Sequence, residues 1–344
     1  MSLAELFGVE LPIIQAPMAG AQGSALAIAV SNAGGLGSLP CAMLSADVLR
    51  RELESIRAQT SRPYNVNFFC HTPPVYDAAR EAAWRARLAP YYQEFGLAPG
   101  AIPPAPQRAA FDAATADLLS DFRPSVVSFH FGLPTLDLLT RVRSWGAKII
   151  SSATTIDEAI WLESHGIDAI IVQGAEAGGH RGMFLSSDLT TQVGVFALLT
   201  QVRSAVNVPV IAAGGIATAE GVARALALGA VGAQIGTAYL LCPEATTSPV
   251  HRAALKSEAA QHTALTNVFS GRPARGIMNR LMREVGPISD LAPAFPLASG
   301  AIGPLRAAAE KLGSGDFSPL WAGQDTTGCR EVPAAQRTRE LAGA

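Results

Sequence analysis

Short apolar runs alternate with amphipathic stretches through most of the chain. Pro12 to Met18, Leu36 to Leu39, Tyr64 to Phe69 and Val126 to Phe131 each read as a strand. So do Lys148 to Ala153, Asp168 to Gln173, Val210 to Ala213 and Ala233 to Tyr239. Ala169 to Val172 is apolar throughout, as in a strand buried on both faces. Between these runs the period lengthens to that of a helix. Ala25 to Asn32 is closed by Gly34-Gly35. Ser45 is placed as an N-cap for a helix to Gln59 with Val48, Leu49, Leu53 and Ile56 on one face. Further helices are expected over Leu136 to Trp145, Ile156 to His165, within Leu189 to Ala205, and Ala219 to Leu228. Eight strands, mostly alternating with helices, imply parallel pairing, so the expected fold is α/β, a TIM (β/α)8 barrel with a helical insertion and lid. A doubly wound open sheet is the alternative; against it, no G-x-G-x-x-G follows the first strand.

The alternation breaks twice. Cys70 to Phe122 is rich in Ala, Arg and Pro and predicts a helical insertion, with a proline-stiffened turn at Pro103, Pro104 and Pro106. After Cys242 the strand pattern stops, and Pro249 to Glu284 reads mainly as helix with one loop, Phe269 to Gly276. The expected organisation is barrel over 1–69, helical insertion over 70–123, barrel over 124–244, helical lid subdomain over 245–317, and a tail over 318–344 that returns to the site.

Composition removes several classes of function. The 344 residues are 49% hydrophobic with a formal net charge of -2 and no basic stretch, so nucleic acid is not an expected partner. No apolar run approaches the ~20 residues of a membrane span, and Met1 to Glu10 lacks the apolar core of a signal peptide. Cys41, Cys70, Cys242 and Cys329 are scattered like reduced cytosolic thiols, so a cytoplasmic location is expected. With no H-E-x-x-H, no EF-hand pattern and no His/Cys cluster, no metal is expected.

In a barrel the carboxyl ends of the strands face one mouth, and the polar residues gather there. The sixth strand empties into Gln173, Glu176 and a glycine-rich loop, Gly178-Gly179-His180-Arg181-Gly182. His180 is the best acid/base candidate. Arg181 pairs with Glu176, holds the loop or faces solvent. His130, between Phe129 and Phe131, fits either a structural hydrogen bond or a place in the pocket. Ala213-Gly214-Gly215 after the seventh strand and Gln234-Ile235-Gly236-Thr237 at the eighth form a phosphate signature, with Thr218 placed to cap the helix that follows. Asn67, Gln173 and Gln15 offer amides to a ligand with alternating donors and acceptors, or else satisfy backbone groups at the strand ends. Tyr91, Tyr92 and the segment from Ser270 to Gly276 cover the mouth or pack the insertion.

These residues resemble a known family. I-I-Q-A-P-M-A-G (13–20), N-V-N-F-F (65–69), S-F-H-F-G (128–132), Q-G-x-E-A-G-G-H-R-G (173–182), A-A-G-G-I (212–216), Q-I-G-T (234–237), S-G-R-x-A-R-G (270–276) and L-W-A-G-Q (320–324) resemble the nitronate monooxygenases, formerly 2-nitropropane dioxygenases, of the class I type. The resemblance runs from about residue 12 to residue 324. It implies a barrel with a helical lid and non-covalent FMN. Asn67, Gln173, Gly178, Gly215 and Gln234 to Thr237 match FMN-contacting positions, with Gly179, Ala213 and Gly214 beside them. Backbone at Ala16, Pro17 and Met18 is expected along the flavin ring, and Trp321, Gly323 and Gln324 contribute from the tail. His180 matches the catalytic histidine, and His130, Tyr91 and Ser270 are the residues expected toward substrate. Related NADH:quinone reductases carry A-G-H-P-G where this chain has G-G-H-R-G. The activity implied is oxidation of an alkyl nitronate, propionate 3-nitronate being one candidate, by FMN and O2. The alternative is an NAD(P)H-dependent FMN reductase of quinones or enoyl thioesters. The expected partners are thus a small-molecule nitronate and dioxygen; a homodimer is left open.

Overall fold

All eight apolar runs form strands of one parallel sheet. The computed structural model describes residues 1–98 and 108–344, so the proline turn expected at Pro103, Pro104 and Pro106 lies outside the described residues. The strands are β1 (Ile13–Gln15), β2 (Gly37–Pro40), β3 (Tyr64–Phe69), β4 (Val126–His130), β5 (Lys148–Ala153) and β6 (Ala169–Gln173). The two-residue β7 (Gly179–His180) lies outside this sheet, and β8 (Val210–Ala213) and β9 (Gly232–Ile235) complete it. The spatial order is β1-β9-β8-β6-β5-β4-β3-β2. A parallel bridge between Ile14 and Leu36 joins the two ends, so the sheet closes as a (β/α)8 barrel rather than lying open. β1 is shorter than the apolar run suggested: after Gln15 the chain leaves the ladder, and Ala16 to Met18 line the mouth.

The barrel interior is layered by residue type. Ile14, Leu36, Val126, Ile150, Ile171 and Ile211 fill the lower part, and Leu3, Leu6 and Phe7 of the N-terminal helix Leu3–Phe7 pack with them. Buried polar side chains stand above. Asn65 Nδ2 donates to Ser38 Oγ at 3.0 Å and to Ser128 Oγ at 2.9 Å. Gln15 is spent on structure: its Oε1 accepts from Ser38 N at 3.0 Å and its Nε2 donates to Gln22 at 2.6 Å. Helices coat the outside as expected, with Ser45 capping Ala46–Gln59 and Thr218 capping Ala219–Ala227.

The stretch after the barrel departs from the helical reading of 249–284. Helices form at Pro249–Leu255 and Arg280–Val285, but between them the chain makes a hairpin, β10 (Thr263–Thr266) and β11 (Ala274–Ile277). The apolar residues of the hairpin are interleaved with arginine and glycine, which hid its period. β11 pairs antiparallel with β7, with Ala274 opposite His180. Trp84, Leu88 and Tyr92 of the insertion helix Ala78–Glu94 share one apolar core with Phe269, Leu281, Ile302 and Leu305. Tyr92 OH donates to Ala301 O at 2.7 Å, tying that helix to Ala298–Lys311. The two segments that interrupt the strand pattern thus pack as one unit over the mouth. No helix among the described residues is long and apolar enough to cross a membrane.

Candidate active site

One cavity of about 290 Å³ occupies the mouth. It runs from the β8 and β9 loops across Ala16 to Met18 to the His180 loop.

At the β8 end, Gly214 and Gly215 take φ values of 114° and 64°, where a Cβ is strained. These turns leave backbone amides for a ligand: among the described residues, the N–H groups of Gly215, Ile216 and Gly236 have no acceptor. Thr237 closes the same end and accepts a 2.9 Å hydrogen bond from Gly323 N. Three free amides around a hydroxyl suit a phosphate. Gln234 Oε1 is buried in the cavity wall without a partner, an acceptor waiting for a donor such as a flavin ring N–H. Ala213, Ile235, Asn67, Gly178, Gly179 and Trp321 also line the cavity. The residues present therefore fit FMN. Gln324 does not line the cavity; its backbone N–H donates to Glu176 O at 2.9 Å and fixes the tail.

The His180 loop is built from its own side chains. Gln173 donates through Nε2 to His180 O at 3.0 Å and accepts at Oε1 from Gly182 N at 2.7 Å, so its amide shapes the loop although it faces the cavity. Arg181 is fully buried. It donates to Gly174 O at 2.6 Å, Gln173 O at 2.7 Å and Gln192 Oε1 at 2.7 Å, and so holds the loop from behind. Glu176 serves instead as a cap, accepting from Val195 N at 2.9 Å. The hairpin clamps the front: Arg181 N donates to Pro273 O at 2.9 Å, and Ser270 Oγ lies 2.8 Å from His180 Nε2. His130 sits under the loop, with Nδ1 2.6 Å from Ser152 Oγ and Nε2 3.2 Å from His180 O. Both of its ring nitrogens are engaged, one of them supporting the His180 backbone, and the residue also lines the cavity. Tyr91 does not reach the cavity. It packs against Phe317, with ring centroids 5.2 Å apart, because the insertion helix turns that face toward the satellite core.

His180 stands among aromatic rings. Phe295 lies 5.3 Å, Trp321 5.5 Å, Phe131 6.2 Å and Phe69 6.5 Å from its ring, centroid to centroid. Phe131 reaches this place through a left-handed φ of 70°, a strained conformation for a bulky side chain at a site. Burial, followed by the charges of Arg108, His130, Arg272 and His71, holds the His180 imidazole well below its usual pKa. It is therefore neutral at pH 7, and its Nδ1 has no partner among the described residues. Burial brings His130 down to about 3.

Arg108, Phe295 and the far end of the cavity carry no signal in the sequence. There Thr247 Oγ1 and His251 Nε2 are buried without partners, and burial takes His251 down to about 4. Arg272 was visible only as part of the S-G-R-P-A-R-G segment. The polar far wall comes from residues that read as plain helix and linker.

Three comparisons bear on this site. The nitronate monooxygenase family model matches residues 1–341. A nitronate monooxygenase of Paraburkholderia phytofirmans is 42% identical over 99% of this chain and 93% of its own. A nitroalkane oxidase of Streptomyces ansochromogenes superposes with a TM-score of 0.90 at 39% identity, covering 100% of this chain and 97% of that one. FabK of Thermotoga maritima is more distant, with a TM-score of 0.74 at 27% identity over 99% of this chain and 94% of its own.

Proposed function

We propose that this chain, which belongs to the nitronate monooxygenase family, holds FMN in the barrel mouth and oxidises alkyl nitronates, propionate 3-nitronate among them, to a carbonyl compound with nitrite or nitrate. The observation that carries this reading is the continuity of one cavity between a phosphate-sized amide cradle and the His180 pocket. FMN, when bound, would supply the electron acceptor for the nitronate and the route of electrons to O2. The remaining work falls to the chain. Gly215, Ile216, Gly236 and Thr237 would hold the phosphate, Gln234 and Asn67 would meet polar edges of the ring system, and Ala16 to Met18 would lie along it. Phe69, Phe131, Phe295 and Trp321 keep water from the reacting carbon. His180, uncharged and fixed by Ser270, offers a nitrogen that orients the substrate or takes a proton from a neutral nitroalkane.

Two measurements test the proposal. Cofactor released from the purified protein by denaturation should chromatograph as FMN; FAD would sink the single-phosphate reading. Propionate 3-nitronate added to the holoenzyme should draw down dissolved oxygen. Anaerobic bleaching of the flavin by NAD(P)H, with no response to the nitronate, would assign the protein to the reductases instead.

A further inference from the structure

Two guanidinium groups flank the His180 pocket, and their situations differ. Arg272 is engaged: it lies 3.9 Å from the Phe131 ring centroid and donates to Met183 O. Arg108 lines the cavity. It rests over Phe295, 5.1 Å from the ring centroid, and Phe295 in turn touches His180. No carboxylate pairs with Arg108 among the described residues, and its Nε–H is buried without an acceptor. A structural arginine is normally spent on carbonyls or carboxylates, as Arg181 is here. No acid figures among the charges that act on His180. The charges that act on His180 are thus all positive, and four aromatic rings surround it; Glu158 offsets Arg272, but no counter-charge acts on Arg108. A low-dielectric cationic pocket repels cations and favours an anion.

We propose that Arg108 recognises the negative charge of the substrate as a planar oxyanion and selects the nitronate over its neutral nitroalkane. This rests on the reading of the protein as a nitronate oxidase. A guanidinium matches a flat O–N–O group with two parallel N–H donors, which a lone ammonium cannot do. Phe295, with its ring centroid 5.1 Å from the guanidinium carbon, supports the fork through a cation–π contact. Neutral His180 completes the recognition without competing for the charge.

The test uses the FMN-loaded protein and inorganic nitrate, a planar oxyanion that is not turned over. Nitrate binding is measured by calorimetry and by perturbation of the flavin spectrum, in wild type, Arg108→Gln and Arg108→Lys. Glutamine should weaken nitrate by about tenfold to a hundredfold, the range for a lost hydrogen bond to a charged group. Lysine should recover part of that loss. The KM for a nitronate should rise more in Arg108→Gln than the KM for the matching nitroalkane. Wild-type nitrate affinity in Arg108→Gln overturns the proposal, as does lysine binding no better than glutamine, or no nitrate binding to wild type. If nitrate behaves as expected but the wild type oxidises no nitronate, the oxyanion site stands and the proposed reaction falls. If the nitronate is oxidised and nitrate ignores Arg108, the reaction stands and this assignment falls. Flavin content and circular dichroism of each variant establish that the fold is kept.

Discussion

Replacing Gly178 by alanine puts a methyl group where the C-terminal tail passes. An ideal Cβ there would stand 2.5 Å from Gly323 N, 2.6 Å from the Ala322 carbonyl carbon and 3.0 Å from Ala322 Cα. All three are backbone atoms, so no side chain can rotate away. Ordinary contact at about 3.5 Å requires the tail to retreat by about 1 Å. The tail is held there by Gly323 N to Thr237 Oγ1 at 2.9 Å and Gln324 N to Glu176 O at 2.9 Å, and a retreat of that size takes both out of hydrogen-bond range. Keeping the bonds and accepting the overlap costs about 1–3 kcal/mol; giving up both bonds costs about 2 kcal/mol. Either route changes the ratio of closed to open tail by a factor of about 5 to 150. Because the tail carries Trp321 into the cavity wall, Gly178→Ala should lose flavin on gel filtration and free the backbone at the already exposed Arg330 for cleavage by trypsin, while the barrel melts cooperatively. Gly179→Ala is the control: its Cβ meets nothing within 4 Å, and only the φ of 71° is strained. That variant should keep its tail protected. Equal flavin retention and equal protease protection in the two variants would refute the claim that the tail closes the site.

His180→Asn should lower kcat/KM for a neutral nitroalkane by about 10²–10⁴-fold and for the preformed nitronate by much less, because the nitronate has already lost the proton in question; equal losses would leave His180 an orienting role only. Burial also gives the fold a pH signature. His130 and His251, brought from 6.5 to about 3 and about 4, stay neutral in the folded chain while the unfolded chain takes up protons below 6.5. Stability should therefore be full above about pH 6.5 and fall as pH drops toward 4, by about 2 kcal/mol per histidine at pH 5. Denaturant midpoints from pH 7 to 5 measure this; His130→Gln should remove its share of the slope, and flat midpoints would contradict the burial of these rings.

The barrel was legible because its strands are short, uniformly apolar and regularly spaced. The glycine turns after β8 and β9 were legible because their chemistry is local: Gly214-Gly215 and Gly236-Thr237 announce them within a few residues. The His180 pocket was only partly legible. The glycine loop and its histidine stand out, and Ser270 came with a recognisable segment. Arg108 and Phe295 reach His180 from the two segments without alternating pattern, and nothing in their neighbours says where a chain of that kind will fold back. For Gln15 and Gln173 the sequence leaves two readings open, ligand contact or satisfaction of backbone groups, and Gln173 both lines the cavity and serves the loop. An amide at a strand end looks the same in either case; Gln15 is consumed by Ser38 and Gln22. Tyr91 misled for a simpler reason, since an aromatic in an insertion over the mouth can face either the mouth or the insertion's own core. The hairpin of β10 and β11 was missed because its two strands alternate only weakly.

The tail contact has a consequence for the order of events in the cell. The walls at Ala16, Asn67, Gln173 and Gly215 are translated well before Trp321 and Gly323. At about 5–20 residues per second, the nascent chain spends on the order of ten seconds with all eight barrel strands made and the site still open on that side. FMN bound as proposed can enter this unfinished cup while the ribosome is at work, and the later segment that carries Trp321 and Gly323 then acts as its latch.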